Sequence, residues 1–578
     1  MNKPDLRPGC GRVPVWAPTA DRIDLVTPAG SVPMERGDEG WWLAPEPLPD
    51  GTRYRFAVDG SGPFPDPRAV SLPDGVHDAA ETWTPPPLPS DLPNHTVLGN
   101  VLYELHVGTF TPEGTLDAAI ERLPHLVELG VTTVELMPVA AFPGQRGWGY
   151  DGVALYSVHS AYGGPAAYRR FVDAAHAAGL AVCQDLVLNH LGPEGNYLAQ
   201  FGPYFTSRHE TPWGDGFNLD GPDCGPVRGH LIGAAYHLVR AFGIDALRLD
   251  AVHEIVDDSP YHLLAELSDR VGALEDDLGH RVTLIAESDL NDYTMVCPTS
   301  AGGKGMDGQW DDDIHHALHV AFTGETHGYY KDFAEPGALA KVYTDVFFHN
   351  GTFSTFRDCP WGKPVPADLD RSRFVGFSAN HDQVGNRAIG DRPQAKLSPE
   401  HAAGEAALVL LGPFTPLIFM GDEWYPSTPF QFFTDFQDPQ LASGVSEGRL
   451  HEFSGHGWSQ IYSGPVTVPD PQDPDTMEHS RLNWDEAHAG DHARMEAWYR
   501  TLIRLRGTLE GTPAALEQTP DLITLRRGDV TCLVSMTEDS RSLPQDLVDG
   551  RVLASFGADP AQPTCLPGYA TLVIACSA

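Results

Sequence analysis

The sequence predicts an α/β protein: a closed (β/α)8 TIM barrel with a β-sandwich before it and an antiparallel β domain after it. Eight apolar, strand-like runs follow one another between residues 101 and 424, and amphipathic helical stretches separate them. A doubly wound open sheet usually stops at about five to seven strands, so eight βα units favour closure. At both ends the helical period gives way to short β-like runs broken by Gly, Pro and Asp, which places a β domain on each flank.

The first domain rests on VPVWAP, RIDLVTP, WWLAP and YRFAVDG, short runs without helical spacing that suit a small β-sandwich. Five prolines in PPPLPSDLPNH, residues 85–95, exclude both helix and ladder and mark a semi-rigid connector. The barrel runs are VLYELHVGTF (101–110), TTVELMPV (132–139), LAVCQDLVLNH (180–190), DALRLD (245–250), TLIAESD (283–289), GQWDDD (308–313), FVGFSANHD (374–382) and TPLIFMGDEW (415–424). The sixth is the weakest, being more acidic than apolar. Leu116, Ile120, Leu123 and Val127 predict a helix ending at Gly130, and Leu231, Ile232, Ala235, Leu238, Val239 and Phe242 predict another ending at Gly243. After about residue 510, LITLRRG, TCLVSM, RVLASF and ATLVIA predict the last domain. The expected division is 1–88 for the sandwich, 89–508 for the barrel with its inserted loops, and 509–578 for the carboxyl-terminal β domain.

Composition narrows the function. With 38 Lys+Arg against 79 Asp+Glu, the chain carries a formal charge of −41, which repels nucleic-acid backbones and anionic lipid surfaces. No window reaches the ~18 apolar residues of a membrane span, and Met1 to Trp16 has no signal-peptide core, so a cytoplasmic protein is expected. The eight cysteines, from Cys10 to Cys576, form no CxxC pair and suit buried reduced thiols better than disulfides or a zinc site.

Barrel enzymes carry their chemistry at the carboxyl ends of strands. Four of the eight runs end in a carboxylate, and a fifth, TPLIFMGDEW, carries Asp422-Glu423 just before its end; among them are Arg248-Leu249-Asp250, Glu287-Ser288-Asp289 and Asn380-His381-Asp382. Acids at strand ends often only cap a helix or pair with arginine. Three of them on near-consecutive strands, each beside an Arg, His or Asn, point instead to glycoside hydrolysis, which needs a proton donor for the leaving oxygen and an anion facing the anomeric centre.

DLVLNH (185–190), DALRLDAVHE (245–254), LIAESD (284–289) and FSANHDQVGN (377–386) resemble, in order and spacing, the four sequence regions of the alpha-amylase superfamily of glycoside hydrolases. The first domain is similar to the sandwich that precedes the barrel in glycogen-branching and related enzymes, which implies an immunoglobulin-like domain of the carbohydrate-binding type over residues 1–88. The resemblance implies that Asp250 is the nucleophile, Glu287 the general acid/base and Asp382 the stabiliser of the transition state. It further implies that Arg248 orients Asp250, that His190 and His381 hold hydroxyls of the sugar on the non-reducing side, and that Tyr150 of WGYDG stacks beneath that sugar. Neutral imidazoles suffice for that role. Some relatives bind calcium near the position of Asn189; the other oxygen ligands cannot be assembled here, so neither metal nor cofactor is expected.

YELHVGTFTPEGT (103–115), PYFTSRHETPWGDGFNLDGP (203–222), GQWDDDIHHALHVAFTGE (308–325), LGPFTPLIFMGDEW (411–424) and PFQFFTDF (429–436) resemble the branch of the superfamily that releases trehalose from maltooligosyl trehalose. That substrate and related α-1,4-glucans are therefore the expected partners, with no nucleic acid and no membrane, for a monomer or a homodimer. Amylases commonly carry Lys-His three and four positions after the nucleophile, whereas this chain has His253 and Glu254. The leaving-side pocket is accordingly expected to differ, with Trp213, His253, Glu254, Asp289, Trp310, Asp312 and Gln383 as candidate lining groups. Two alternatives remain at this point: a glycogen-branching enzyme with the same triad, and a silent glucan-binding protein, which should lack one of the three acids.

Overall fold

The computed structural model describes residues 11–455, 461–462, 466–509, 511–561 and 564–575. Eight parallel strands close into a barrel in chain order: Leu102–Leu105, Thr133–Leu136, Ala181–Leu186, Ala246–Leu249, Thr283–Ala286, Gly308–Trp310, Phe374–Gly376 and Thr415–Phe419. Each of the eight runs supplies one strand, and Leu417 to Phe419 pair with Leu102 to Glu104 to complete the circle. Leu102, Ala181, Cys183, Ala246, Ile285, Trp310, Val375 and Leu417 belong to one buried cluster inside it. The sixth strand spans only Gly308–Trp310, because Asp311 turns its carboxylate back to cap helix Asp312–Thr323 through the amide of Asp313.

The helix expected after the first strand is two pieces, Leu116–Ile120 and Leu123–Leu129. Pro124 has no amide hydrogen to continue the ladder, so the chain restarts there. Val127, counted with the apolar face, is exposed, and Gly130 ends the second piece at φ 100°. Helix Cys224–Phe242 buries all six residues expected of it.

The amino-terminal strands form two antiparallel sheets, one built on Pro14–Trp16 and Trp41–Leu43, the other on Ile23–Thr27 and Arg53–Val58. This pair of sheets docks by aromatic contacts, Trp16 on Tyr204 at 5.2 Å and Phe56 on Phe201 at 6.2 Å between centroids. Arg169, on helix Gly164–Ala177, holds the connector by donating to the carbonyls of Pro86 and Pro87. At the other end, Leu522–Arg527, Val530–Ser535, Arg551–Phe556 and Thr571–Ala575 join one antiparallel sheet, with Ala514–Gln518 as an additional edge strand.

Among the described residues no helix is long and apolar enough to cross a membrane. The six described cysteines are free, but only Cys183 and Cys532 are buried; Cys10 and Cys576 lie outside the described residues.

Candidate active site

A cavity of about 610 Å³ opens at the carboxyl ends of the strands. Asp250, Glu287 and Asp382 all line it, each placed just beyond a barrel strand, the fourth, fifth and seventh. Tyr150, His190, Trp213, His253 and His381 line it as well. Tyr150 depends on its neighbour Gly149, whose φ is +103° and where any Cβ would lie 2.2 Å from the carbonyl oxygen of Pro138.

Arg248 lies beneath these groups, fully buried, with its Cζ 4.4 Å from the Trp310 ring centroid. Its Nη1 donates to Asp250 Oδ1 and to Asp185 Oδ2, both at 2.7 Å, and Nη2 lies 3.6 Å from Glu287 Oε2. Asn189 donates to Asp250 Oδ2 at 2.9 Å and to the Asp250 carbonyl at 2.7 Å. Its own Oδ1 meets the His190 ring, so Asn189 links the Asp250 carboxylate to His190. Tyr150 donates to Asp185 Oδ2 at 2.7 Å, and its ring stacks on His381 at 5.0 Å.

Electrostatics separate the acids. Burial first, then the nearby Asp250 carboxylate, raises Glu287 above the usual glutamate range while Arg248 pulls the other way. Burial thus contributes more than the carboxylate neighbour. Ala251, in left-handed backbone at φ 37°, donates its amide to Glu287 and so joins the fourth strand end to the fifth. Asp382 is more open: it accepts from Asn386 at 3.2 Å and lies 3.4 Å from His381 Nε2.

The two histidines differ. Burial lowers His190, which is neutral as expected. His381 is not neutral: burial alone would lower it, but Asp382 and Glu104 carry it to about 9. Glu104, in the first strand, receives both the His381 ring and its backbone amide, the latter at 3.0 Å. Because the folded value exceeds the ordinary ~6.5, this pairing stabilises the fold fully below about pH 6.5 and is lost as pH rises through about 9. His381→Gln is expected to be less stable than the parent by roughly 2–3 kcal/mol at pH 6, with the gap narrowing by pH 9.5. Urea unfolding at the two pH values checks this; a gap independent of pH refutes the charged pairing.

The leaving-side candidates divide. Trp310 is 1% exposed and cannot touch a sugar; it is the floor under Arg248, a barrel-interior side chain clustered with Ile285, Val375 and Leu417. Glu254 stands outside the cavity wall, 3.9 Å from His253 Nε2. Asp289 is 3.8 Å from the same nitrogen and accepts from Arg357 at 3.0 Å. Asp312 accepts from Gln383 at 3.3 Å; burial, then Glu287 and Asp382, lift it well above the usual range. Trp213 is 49% exposed at the tip of the hairpin Phe205–Thr211 and Gly214–Phe217, stacked on His190 at 4.0 Å with rings nearly parallel.

Sequence reasoning passed over other wall residues. Val445, Gly448, Arg449 and Glu452, all on helix Pro439–Gly455, close one side, and Trp148 and Phe432 add aromatic surface. No strand-end motif points to that helix. Asp185 and Glu104 did carry a signal, each being a lone acid in an otherwise apolar run, which a buried strand tolerates only with a partner. Near Asp289, exposed Tyr329 and Phe356 sit with Arg357, their rings 5.8 Å apart.

The barrel and its three converging acids define a glycosidase of the alpha-amylase class. Residues 65–214 match the model of the alpha amylase catalytic domain. The chain is 48% identical over 555 residues to a malto-oligosyltrehalose trehalohydrolase from Arthrobacter ramosus, covering 94% of this chain and 95% of that one. It is 46% identical over 549 residues to one from Rhizobium sp. (strain M-11), covering 93% and 89%. A crystal structure of a Salmonella typhimurium protein assigned as an alpha amylase superposes with a TM-score of 0.88 at 35% identity, covering 98% of this chain and 97% of that one. The chain belongs to the malto-oligosyltrehalose trehalohydrolase family.

Proposed function

We propose that this glycosidase hydrolyses the α-1,4-glucosidic bond next to the terminal trehalose unit of maltooligosyl trehalose, with retention of configuration. The observation that supports it most is the convergence of Asp250, Glu287 and Asp382 on one cavity, two of them held by the same guanidinium. Asp250, held in place by hydrogen bonds from Arg248 and Asn189, attacks the anomeric carbon. Glu287, protonated because it is buried, gives its proton to the glycosidic oxygen, and trehalose leaves. The C–O bond to the leaving sugar breaks as the ester bond to Asp250 forms. Glu287, now ionised, takes a proton from water, whose oxygen displaces Asp250 and restores the acid. Asp382 and the charged His381 beside it face the same centre, where the carboxylate opposes developing positive charge and the imidazolium donates to a sugar hydroxyl.

Product analysis tests the reading: trehalose and α-anomeric maltooligosaccharide are expected from maltooligosyl trehalose, with much slower cleavage of a plain maltooligosaccharide of equal length. Newly formed β-anomer in early proton NMR spectra rejects retention. Equal rates on the two substrates reject the trehalose preference.

We place His253 and Trp213 around the leaving sugars. Trp213→Ala removes an exposed stacking platform and His253→Gln a hydroxyl-binding imidazole, so each is expected to lower the kcat/KM ratio between the two substrates about tenfold. If Trp213→Ala instead lowers both substrates equally, Trp213 serves the sugar held by its stacking partner His190.

A further inference from the structure

We propose that His95, His176 and Asp245 form a zinc-binding site at the amino-terminal end of the barrel, opposite the catalytic cavity, where the ion fastens the proline-rich connector to the barrel wall. The three side chains come from three places. Asp245 immediately precedes the fourth strand, Ala246–Leu249; His176 lies near the end of helix Gly164–Ala177; His95 closes the connector. One ligand atom from each lies within 4.8 Å of the other two. A tetrahedral Zn2+ about 2.1 Å from each of its ligands holds them roughly 3.4 Å apart, so the cluster needs to contract by no more than about 1.5 Å.

Two atoms in this cluster lack the hydrogen bonds that buried polar groups require. Asp245 is 1% exposed; its Oδ2 accepts from His176 Nε2 at 2.9 Å and from the Val182 amide at 2.8 Å, whereas Oδ1 has no hydrogen-bond partner. His95 Nε2 is likewise buried and unpartnered. His95 also lines a cavity of about 250 Å³ with Thr283, Asp307 and Arg373, which gives an ion a route in and leaves room for a water as fourth ligand.

Two imidazoles and one carboxylate are a donor set for Zn2+ rather than for Ca2+ or Mg2+, which prefer oxygen. A second His/Asp group, His209, Asp220 and Asp258, lacks the same logic. There Asp220 already accepts from His209 at 2.7 Å, from Arg208 at 3.1 Å and from the Asp258 amide at 3.1 Å, so its oxygens are spent and a guanidinium sits beside them.

The test uses the full chain, stripped with a chelator and titrated with Zn2+ by calorimetry. A single saturable high-affinity site is expected, with His176 exchanging its hydrogen bond to Asp245 for the ion. His95→Gln is expected to weaken binding about a hundredfold while leaving kcat on maltooligosyl trehalose within twofold of the parent. His209→Gln is expected to leave the affinity unchanged. Zn2+ should raise Tm in the parent and not in His95→Gln, which separates a fastening ion from a fold damaged by the substitution. Absence of a saturable site in the parent, or equal affinity in the parent and His95→Gln, overturns the proposal. Because the ligands are remote from the acids, neither result bears on the glycosidase reading.

Discussion

Glu287→Gln lowers turnover on maltooligosyl trehalose by about a thousandfold or more and leaves KM within roughly threefold. Glutamine keeps the shape of the side chain and can still accept from the Ala251 amide, so the strand ends remain joined. What disappears is the transferable proton. The loss should therefore fall on kcat, because the glycosidic oxygen becomes basic only as its bond breaks. The pH profile carries the same information independently. Glu287 is raised by burial and works protonated, so kcat/KM of the parent should fall on the alkaline side as that proton is lost. In the variant, the alkaline limb governed by this residue should vanish. A substrate with a good leaving group should recover much of the first step, since it needs no protonation. Turnover within tenfold of the parent on the natural substrate removes Glu287 from the acid role.

The barrel was legible because seven of the eight strand runs are mainly apolar and several of them are closed by acids. Asp250, Glu287 and Asp382 stand one residue, one residue and six residues past their strands, and all reach the same cavity. Trp310 misled because an aromatic next to three acids looks like a sugar platform in the sequence; the alternation of the strand puts it in the barrel interior, under Arg248. The helix Pro439–Gly455 was invisible as a wall, since its contacts are set by how a long insertion folds back over the barrel rather than by any periodicity of its own. His381 shows a third kind of limit. Its charge depends on Asp382, its neighbour in sequence, and on Glu104, 277 residues earlier, which only closure of the barrel brings to it.

Arg248→Lys tests how much of the site depends on one guanidinium, and we expect kcat to fall by about a hundredfold or more together with a stability loss of roughly 2–4 kcal/mol. Arg248 is fully buried; a single nitrogen serves Asp185 and Asp250 at 2.7 Å, while the plane of the group rests over Trp310. An ammonium keeps the charge but loses the fork and the stacking face, so it cannot hold Asp250 in place and lie flat on the indole together. The stability loss follows because Asp185 and Asp250 stay buried with a poorer partner. The acid/base should also report the change. Arg248 is the main group pulling Glu287 down against burial, and it does the same for Asp185, which stands at about 7. A weaker pull lets Glu287 keep its proton to higher pH, so the alkaline limb of kcat/KM should move upward. A purely structural lesion would lower the amount of folded enzyme without moving that limb. Unchanged kcat with an unmoved limb would mean that Asp250 is positioned by Asn189 alone, at 2.9 Å from its Oδ2, and that the guanidinium serves the fold rather than the reaction.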